Sequence, residues 1–181
     1  MKTWITSDLH FGHRNIKNFC PATRARFPDV DSMNEMMVTE WNALVAPEDT
    51  VYILGDVAFL PAQQAAEYVN RLNGFKHLIE GNHDRKLLKD PVFRGCFQTV
   101  QSYLRLNYNG KLIVMSHYPF LEWDQMHRGS LHFFGHLHGK PTGQEQYRNM
   151  DVGMDATGQI VIQMEDAISA IINKKIKEHH V

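Results

Sequence analysis

Five short motifs in this sequence consist of residue types that bind metal ions. Each follows a run of apolar residues, and together they offer carboxylates, one amide and several imidazoles, but no thiolate. The motifs are Asp8-Leu9-His10, Gly55-Asp56, Gly81-Asn82-His83-Asp84, Ser116-His117 and Gly135-His136-Leu137-His138. Imidazole nitrogens combined with oxygen ligands suit Mn, Fe, Zn, Ni or Co and disfavour a Ca or Mg cage built from oxygen alone. The sequence therefore predicts a site for divalent transition metals, with Mn expected first.

The motifs are spread between residues 8 and 138, yet each lies where a predicted strand ends. In open α/β sheets, ligands bind in the crevice at the carboxyl ends of the strands, so distant motifs can meet there. Glycines in these motifs permit sharp turns and let the backbone approach a bound ion closely. A lone histidine or a single Asp-x-His would more often have a structural role. The number and order of the motifs, rather than any one of them, indicate a metal site.

The elements that must position these motifs follow from hydrophobic periodicity. Short apolar runs alternate with helical patterns, which is typical of a mixed α/β domain. The first long helix is expected to start at a capping box with Ser32 as N-cap, and Asn109-Gly110 and Thr157-Gly158 predict hairpin turns. Helices are predicted at residues 32–46, 61–73 and 165–178, and strands at residues 3–7, 51–54, 77–80, 103–108, 111–116, 131–134, 151–154 and 159–163.

In their order, the motifs resemble the signature D-x-H, G-D, G-N-H-[DE], H and G-H-x-H of calcineurin-like metallophosphoesterases, in the small single-domain form found in bacteria and phages. The resemblance extends over about residues 3–155, and no ligand position of the pattern is lost. It implies a four-layer α/β/β/α sandwich, in which two packed mixed β-sheets are flanked by helices. Residues 1–181 are then expected to form a single domain of this kind.

The resemblance also implies a pair of metal ions that share the carboxylate of Asp56. A carboxylate suits this role because each of its two oxygens can bind one cation. The amide oxygen of Asn82 would add a ligand without adding charge. The first ion would be held by Asp8, His10, Asp56 and His138, and the second by Asp56, Asn82, His117 and His136.

Hydrolysis of phosphoesters is the reaction that the resemblance implies, by direct attack of a hydroxide held between the two metals. Paired divalent ions lower the pKa of bound water and stabilise the oxygens of an in-line displacement. His83 lies outside the ligand set and would act as general acid or charge stabiliser at the leaving oxygen. Asp84 is expected to hydrogen-bond the His83 ring and to raise its basicity. Phosphodiesters are the favoured substrates, with phosphomonoesters and phosphoproteins as alternatives.

Several residues near the motifs are candidates for contact with the substrate or the ligands. His13, Arg14 and Arg85 are expected to contact substrate, since guanidinium groups grip phosphate oxygens; loop packing or a surface ion pair is the alternative for each. Asp151 and Asp155 are expected to hydrogen-bond ligand histidines. Structural roles are expected for His77 and His132, and no role is assigned to Trp123, His127 and Arg128.

Charge and composition limit the partners. The chain has 19 Lys plus Arg against 20 Asp plus Glu, which argues against an extended non-specific nucleic-acid surface and favours a small phosphoester or a nucleic-acid end. No apolar run reaches signal-peptide or membrane-spanning length, so a cytoplasmic location without membrane contact is expected. Cys20 and Cys96 stand outside any CxxC pattern and are expected to be reduced thiols. His179 and His180 are expected to lie in a frayed terminus.

Two classes of protein other than enzymes compete with this interpretation. A non-catalytic scaffold of the same fold would be expected to have lost ligands or the histidine at position 83, and this chain has lost neither. A nucleic-acid-binding module with a structural metal would need a basic face and clustered cysteines. The two isolated cysteines and the balanced charge oppose that module.

Overall fold

Nine strands in the computed structural model, which describes residues 1–178, form two mixed β-sheets. The first sheet consists of β1 (Thr3–Thr6), β2 (Thr50–Ile53), β3 (Phe75–Ile79), β4 (Thr99–Gln101) and β9 (Ile162–Gln163), in the order β4-β3-β2-β1-β9. The second consists of β5 (Tyr103–Tyr108), β6 (Lys111–Ser116), β7 (Leu131–Phe134) and β8 (Asn149–Asp151), in that order. Strands β1 to β4 are parallel, as are β6 to β8, whereas β9 and β5 run antiparallel to their neighbours.

Eight helices surround the sheets within the described residues, and only three of them are longer than four residues. A 3₁₀ turn at Met126–Arg128 precedes β7. The helices are α1 (Ile16–Phe19), α2 (Pro21–Arg24), α3 (Val30–Leu44), α4 (Ala62–Arg71), α5 (Asp84–Leu87), α6 (Pro91–Arg94), α7 (Met154–Thr157) and α8 (Met164–Ile171). No helix in residues 1–178 has the length and apolar character needed to cross a membrane.

The two sheets pack face to face because successive side chains of a strand point to opposite faces. In β1, Trp4 joins the apolar cluster beneath α3 and α4, whereas Ile5 points the other way, into the layer between the sheets. Met115 of β6 and Phe133 of β7 fill the same inner layer from the second sheet. Each fully buried side chain of this size contributes about 1.5–3 kcal/mol. The predicted fold of two packed mixed sheets flanked by helices is confirmed.

Helix α3 begins earlier than the sequence predicts. Its N-cap is Asp29, whose carboxylate accepts a hydrogen bond from the Ser32 backbone N–H at 2.7 Å. Ser32 therefore lies inside the helix, and the capping-box prediction of Ser32 as N-cap is wrong. Both residue types are good N-caps, so the pattern alone did not distinguish them.

The region after the last motif differs most from the sequence prediction. The expected hairpin between residues 151–154 and 159–163 is wrong, because β8 pairs with β7 and β9 pairs with β1, in different sheets. The turn between them is the short helix α7. The helix predicted over residues 165–178 ends at Ile171, after which the Lys174 ammonium binds the Asn149 carbonyl at 2.9 Å. His179 and His180 lie outside the described residues.

His132 has the structural role that its strand position predicts. The ring is fully buried in β7, where Nδ1 lies 3.2 Å from the Val114 carbonyl and Nε2 accepts a hydrogen bond from the Phe120 N–H at 3.0 Å. It also stacks on the Phe120 ring, with centroids 5.1 Å apart. Burial lowers the pKa of His132 to about 4. The neutral ring thus fixes the loop that follows β6.

This burial predicts a loss of stability in mild acid. The unfolded chain protonates His132 near pH 6.5 but the folded protein only near pH 4, so the free energy of unfolding falls as pH drops between these values, by about 3 kcal/mol in total. Urea unfolding at several pH values measures this fall, and we expect His132→Gln to flatten it. An unchanged pH dependence in His132→Gln would contradict the assignment.

Candidate metal centre

The five motifs meet at one edge of the sandwich, where strands of both sheets end. The loops after β1, β2 and β3 approach from the first sheet, and those after β6 and β7 from the second. Backbone hydrogen bonds join the loops: Asp8 donates to the Gly55 carbonyl at 3.0 Å, and Gly135 donates to the His117 carbonyl at 3.0 Å. The centre is therefore built on backbone that is fixed by both sheets.

The predicted ligands fall into two groups whose side-chain nitrogens and oxygens lie within 4.8 Å of one another. In the first group, Asp8 Oδ1 lies 3.6 Å from His10 Nε2 and 3.9 Å from His138 Nε2. These separations are too long for hydrogen bonds, but they leave room for a cation with bonds of about 2.1 Å. The two groups are Asp8, His10 and His138, and Asp56, His117 and His136.

Asp56 connects the two groups. Its Oδ2 lies 3.6 Å from His117 Nε2 in its own group and 3.9 Å from His10 Nε2 in the other. Its Oδ1 accepts a hydrogen bond from the His83 backbone N–H at 3.0 Å, which fixes the carboxylate. Asp56 therefore occupies the position from which a carboxylate could serve two cations.

His117 Nε2 and Asn82 Oδ1 lie 3.0 Å apart. His117 Nδ1 lies 2.7 Å from the Leu54 carbonyl oxygen, which can only accept, so Nδ1 carries a hydrogen. Nε2 is therefore the ring nitrogen that could bind a metal ion. Two bonds of about 2.1 Å that meet at a right angle place the ligand atoms about 3.0 Å apart. The pair fits two ligands of one cation.

Unpaired atoms at the centre test whether these residues suit a metal. Asp8 Oδ1 and both ring nitrogens of His10 are buried and have no hydrogen-bond partner within the described structure. A buried polar atom without a partner costs about 1–3 kcal/mol. A cation between Asp8 and His10 would remove part of this cost, so the donor set and its geometry fit divalent metal ions.

Left-handed backbone conformations concentrate at the centre. A positive φ is unfavourable for residues with a side chain. Within residues 1–178, seven non-glycine residues have a positive φ, and five of them are predicted ligands. Strain of this kind persists where the surrounding structure imposes it, and it clusters at functional sites. The seven residues are Asp8, His10, Asp56, Asn109, Gln125, His136 and His138.

Two glycines allow the loops to approach so closely. A Cβ atom on Gly135 would overlap the Ser7 hydroxyl and lie 2.5 Å from Asp8 Oδ2. A Cβ atom on Gly81 would overlap Asp56 Oδ1. Neither glycine has a positive φ, so both are required by lack of space rather than by backbone conformation.

A buried arginine, which the sequence analysis missed, supports the first motif. Arg24 is fully buried, and its guanidinium donates to the backbone carbonyls of Asp8 at 2.7 Å and Leu9 at 3.1 Å. The same group forms a double hydrogen bond with the carboxylate of Asp155, at 2.7 and 3.0 Å. Arg24 thereby holds the strained loop between Asp8 and His10. No sequence motif marks it, since it lies in a short helix far from the motifs along the chain.

Asp155 links this arginine to a predicted ligand. Its Oδ2 lies 2.8 Å from His138 Nδ1, which confirms the expected contact with a ligand histidine and leaves His138 Nε2 facing Asp8. Burial raises the pKa of Asp155, but the His138 hydrogen bond and the Arg24 charge outweigh this effect and hold the pKa well below its usual range. Asp151 differs, because it accepts hydrogen bonds from the backbone of Gly139 and Gly153 rather than from a histidine ring.

The expected hydrogen bond between Asp84 and the His83 ring is wrong. The Asp84 carboxylate is fully buried and accepts three backbone hydrogen bonds, from Asp56 and Gly81 on Oδ2 and from Val57 on Oδ1. The N–H groups of Asp56 and Val57 lie in the loop of the second motif and that of Gly81 in the loop of the third, so Asp84 ties the two loops together. Its role is structural, because backbone donors occupy both oxygens.

His83 stands at the open side of the centre. Its side chain is 44% exposed, and Nε2 lies 3.8 Å from Asp56 Oδ2. The ring packs against Phe59, with centroids 4.4 Å apart, and Phe59 also contacts the rings of His10 and His13. Nothing in the sequence had singled out Phe59.

The candidate substrate residues are not all near the centre. His13 lines a cleft with His10 and His138, and its Nδ1 is buried without a partner in the described structure. Arg14 is exposed and lines neither cleft beside His83, whereas Arg85 pairs with Glu80 at 3.4 Å.

The three loop residues without an assigned role line neither of the clefts beside His83. Trp123 is buried and donates to the Ser130 carbonyl at 3.2 Å, so its role is structural. His127 and Arg128 are exposed in the 3₁₀ turn.

Comparison with known proteins shows the fold but not the reaction. No protein-family model matches the sequence. An uncharacterized protein of Methanocaldococcus jannaschii is 27% identical in a match that covers 97% of this chain and 94% of that protein. The gene 66 protein of Mycobacterium phage L5 is 26% identical in a match that covers 99% of this chain and 98% of that protein.

Solved structures include one close match in fold. A protein of unknown function from Aquifex aeolicus has a TM-score of 0.72 at 23% identity, covering 94% of this chain and 99% of its own. A nuclease MPE of Pseudomonas putida, covering 75% of this chain and 60% of its own, has a TM-score of 0.47 at 19% identity. An archaeal phosphodiesterase, covering 92% and 96%, has a TM-score of 0.49 at 16% identity. The similarity to these last two structures is too low to support a conclusion about the reaction. The chain thus shares the fold of the Aquifex protein.

Proposed function

We propose that the protein is a metal-dependent phosphoesterase that holds two divalent transition metals, Mn first among them, and prefers phosphodiesters. The observation that carries this proposal is the arrangement of the two ligand groups, each with a carboxylate and two imidazoles, which Asp56 connects. The exposed side chain of His83 lies beside them. Two divalent cations, when bound, supply activation of the attacking water and neutralisation of phosphate charge.

The charge of the ligands suits an anionic substrate. Within the described residues, Asp8 and Asp56 are the only carboxylates of the two groups, and the other members are histidines, which bind a metal ion as neutral imidazoles. Two divalent cations therefore leave the centre positive by about two charges before the attacking water loses a proton. A positive centre at an open edge attracts a phosphoester and holds its oxygens in place for an in-line displacement.

His83 is the residue placed to handle the leaving group. Its backbone is fixed by the N–H that donates to Asp56 Oδ1, and almost half of its side chain faces solvent and can reach a substrate. In the proposed reaction, a water molecule gives one proton to the solvent and its oxygen bonds to phosphorus. The bond from phosphorus to the leaving oxygen breaks, His83 gives its proton to that oxygen, and the solvent then returns a proton to His83. Such proton transfer contributes about 10²- to 10⁴-fold to a rate.

His83→Ala is the experiment that tests this assignment. We expect the variant to bind as much Mn²⁺ as the wild type, because His83 lies outside both groups, and to hydrolyse diesters with alkoxide leaving groups about 10²- to 10⁴-fold more slowly. With bis(p-nitrophenyl) phosphate the loss should be smaller, since p-nitrophenolate leaves without a proton. Metal content by mass spectrometry and steady-state rates on both substrates give the comparison.

The control for this experiment is His127→Ala, which changes an exposed histidine of the 3₁₀ turn. It should match the wild type in metal content and rate. Loss of metal in His83→Ala would place His83 among the ligands. If the wild-type protein holds two metals and hydrolyses neither diesters nor monoesters, a non-catalytic scaffold replaces the proposed enzyme.

A further inference from the structure

Two clefts meet beside the centre, and Phe59 and His83 line both of them. The smaller cleft has a volume of about 580 Å³ and contains His10 and His138, members of the first ligand group. The larger has a volume of about 900 Å³ and extends away from the ligands along α5. The Phe59 ring is 37% exposed at the junction. A substrate at the centre therefore has room on both sides of its phosphorus.

The position of His83 assigns the two clefts to the two halves of a phosphodiester. This step rests on the proposed function, in which His83 protonates the leaving oxygen. The reacting phosphate belongs with the ligands that line the smaller cleft, so the leaving group passes His83 and enters the larger cleft. A phosphomonoester with a small leaving group would leave most of that space unused.

The walls of the larger cleft indicate what the leaving group contains. Phe59, Leu60 and Leu87 provide an apolar surface, and an exposed aromatic ring offers a stacking platform for a base. Lys86 and Lys89 are both exposed in the same cleft, and neither forms an ion pair within residues 1–178. The carboxylate in this cleft, Asp90, is engaged in capping α6 through the Val92 N–H at 2.9 Å.

We infer that the substrate is a short single-stranded oligonucleotide. Its leaving nucleoside stacks on Phe59 in the larger cleft, and the next phosphate along the strand binds Lys86 and Lys89. A diester with only one phosphate has nothing for the lysines to bind. The formal charge of the whole chain, -1, agrees with a footprint of one or two phosphates rather than a long basic track.

Binding of a fluorescein-labelled oligothymidylate, measured by anisotropy over a range of KCl concentrations, tests this inference without relying on turnover. For the double variant Lys86→Gln and Lys89→Gln, we expect weaker binding and a plot of log Kd against log salt that is shallower by about 0.7 to 1.4, the value for one or two lost phosphate contacts. The matched control is Lys111→Gln with Lys175→Gln, which removes the same charge outside both clefts and should keep the wild-type slope.

Phe59→Leu tests the stacking platform while keeping an apolar side chain at the junction. We expect its Kd for the oligothymidylate to rise about 5- to 150-fold, the range for loss of one stacked base. A Kd within about twofold of the wild type for both Phe59→Leu and the cleft lysine variant would overturn the inference.

Hydrolysis of bis(p-nitrophenyl) phosphate by the Mn²⁺-loaded wild type separates this inference from the proposed function. If the wild type hydrolyses this compound but the variants bind oligothymidylate as the wild type does, the oligonucleotide inference is wrong and the proposed phosphoesterase function is retained. If the wild type hydrolyses neither bis(p-nitrophenyl) phosphate nor the oligothymidylate, both the proposed function and the inference are wrong. Hydrolysis of both, with the expected loss of binding in the variants, supports the two together.

Discussion

Arg24→Met is expected to lower the free energy of unfolding by about 3–5 kcal/mol. The substitution keeps much of the apolar stem of Arg24 but removes the guanidinium that pairs with Asp155 and holds the carbonyls of Asp8 and Leu9. Asp155 would then be a buried carboxylate without its main cation. Urea unfolding at neutral pH measures the change.

The matched control for this prediction is Arg26→Met, two residues away. Arg26 also forms a double hydrogen bond with a carboxylate, that of Glu40, at 2.7 and 2.8 Å, but its side chain is 47% exposed. An exposed pair contributes at most about 1 kcal/mol. If the two variants unfold at the same urea concentration, the buried Arg24 pair contributes no more to stability than the exposed Arg26 pair, and the prediction is wrong.

Under the proposed function, Asp56→Asn is expected to remove most of the metal and to slow phosphodiester hydrolysis by more than about 100-fold. Residues that only support a ligand cost about 10- to 100-fold in metal affinity or activity when mutated, and Asp56 lies between both ligand groups. Asparagine keeps the size of the side chain and the oxygen that accepts from the His83 N–H. The variant should therefore fold normally, and its loss of metal and rate should result from the missing negative charge.

Both the metal content and the hydrolysis rate are needed to interpret the effect of Asp56→Asn. Circular dichroism checks that Asp56→Asn is folded, and Asp166→Asn, an exposed carboxylate in the first turn of α8, provides the control for a lost negative charge. Two metals per chain and a wild-type rate in Asp56→Asn would show that this carboxylate does not connect two ions.

The sequence predicted the parts of the structure that depend on local patterns. All eight of its strands overlap observed strands, one of them only at Asp151, because period-two alternation and the Asn109-Gly110 turn act over few residues. It also predicted that the motifs converge, since the carboxyl ends of strands lie at one edge of a sheet. The predicted strand at residues 159–163 contains β9, although its partner is β1 rather than a hairpin neighbour.

The parts that the sequence did not predict depend on contacts between distant segments. Arg24 and Asp155 are 131 residues apart, and no periodicity or motif relates them. Phe59 looks like any loop aromatic until the fold places it against three histidines. Asp84 was assigned to the wrong partner because adjacency to His83 in the chain suggests a contact, whereas backbone N–H groups of another loop occupy its carboxylate.

The arrangement of the two ligand groups has a consequence for the behaviour of the whole molecule. Asp8, His10 and Asp56 extend from the first sheet, whereas His117, His136 and His138 extend from the second. Bound cations would therefore act as cross-links between the two halves of the sandwich. A ligand that binds only the folded state stabilises it by about 2.7 kcal/mol at 100 times its Kd, so the melting temperature becomes a gauge of metal occupancy.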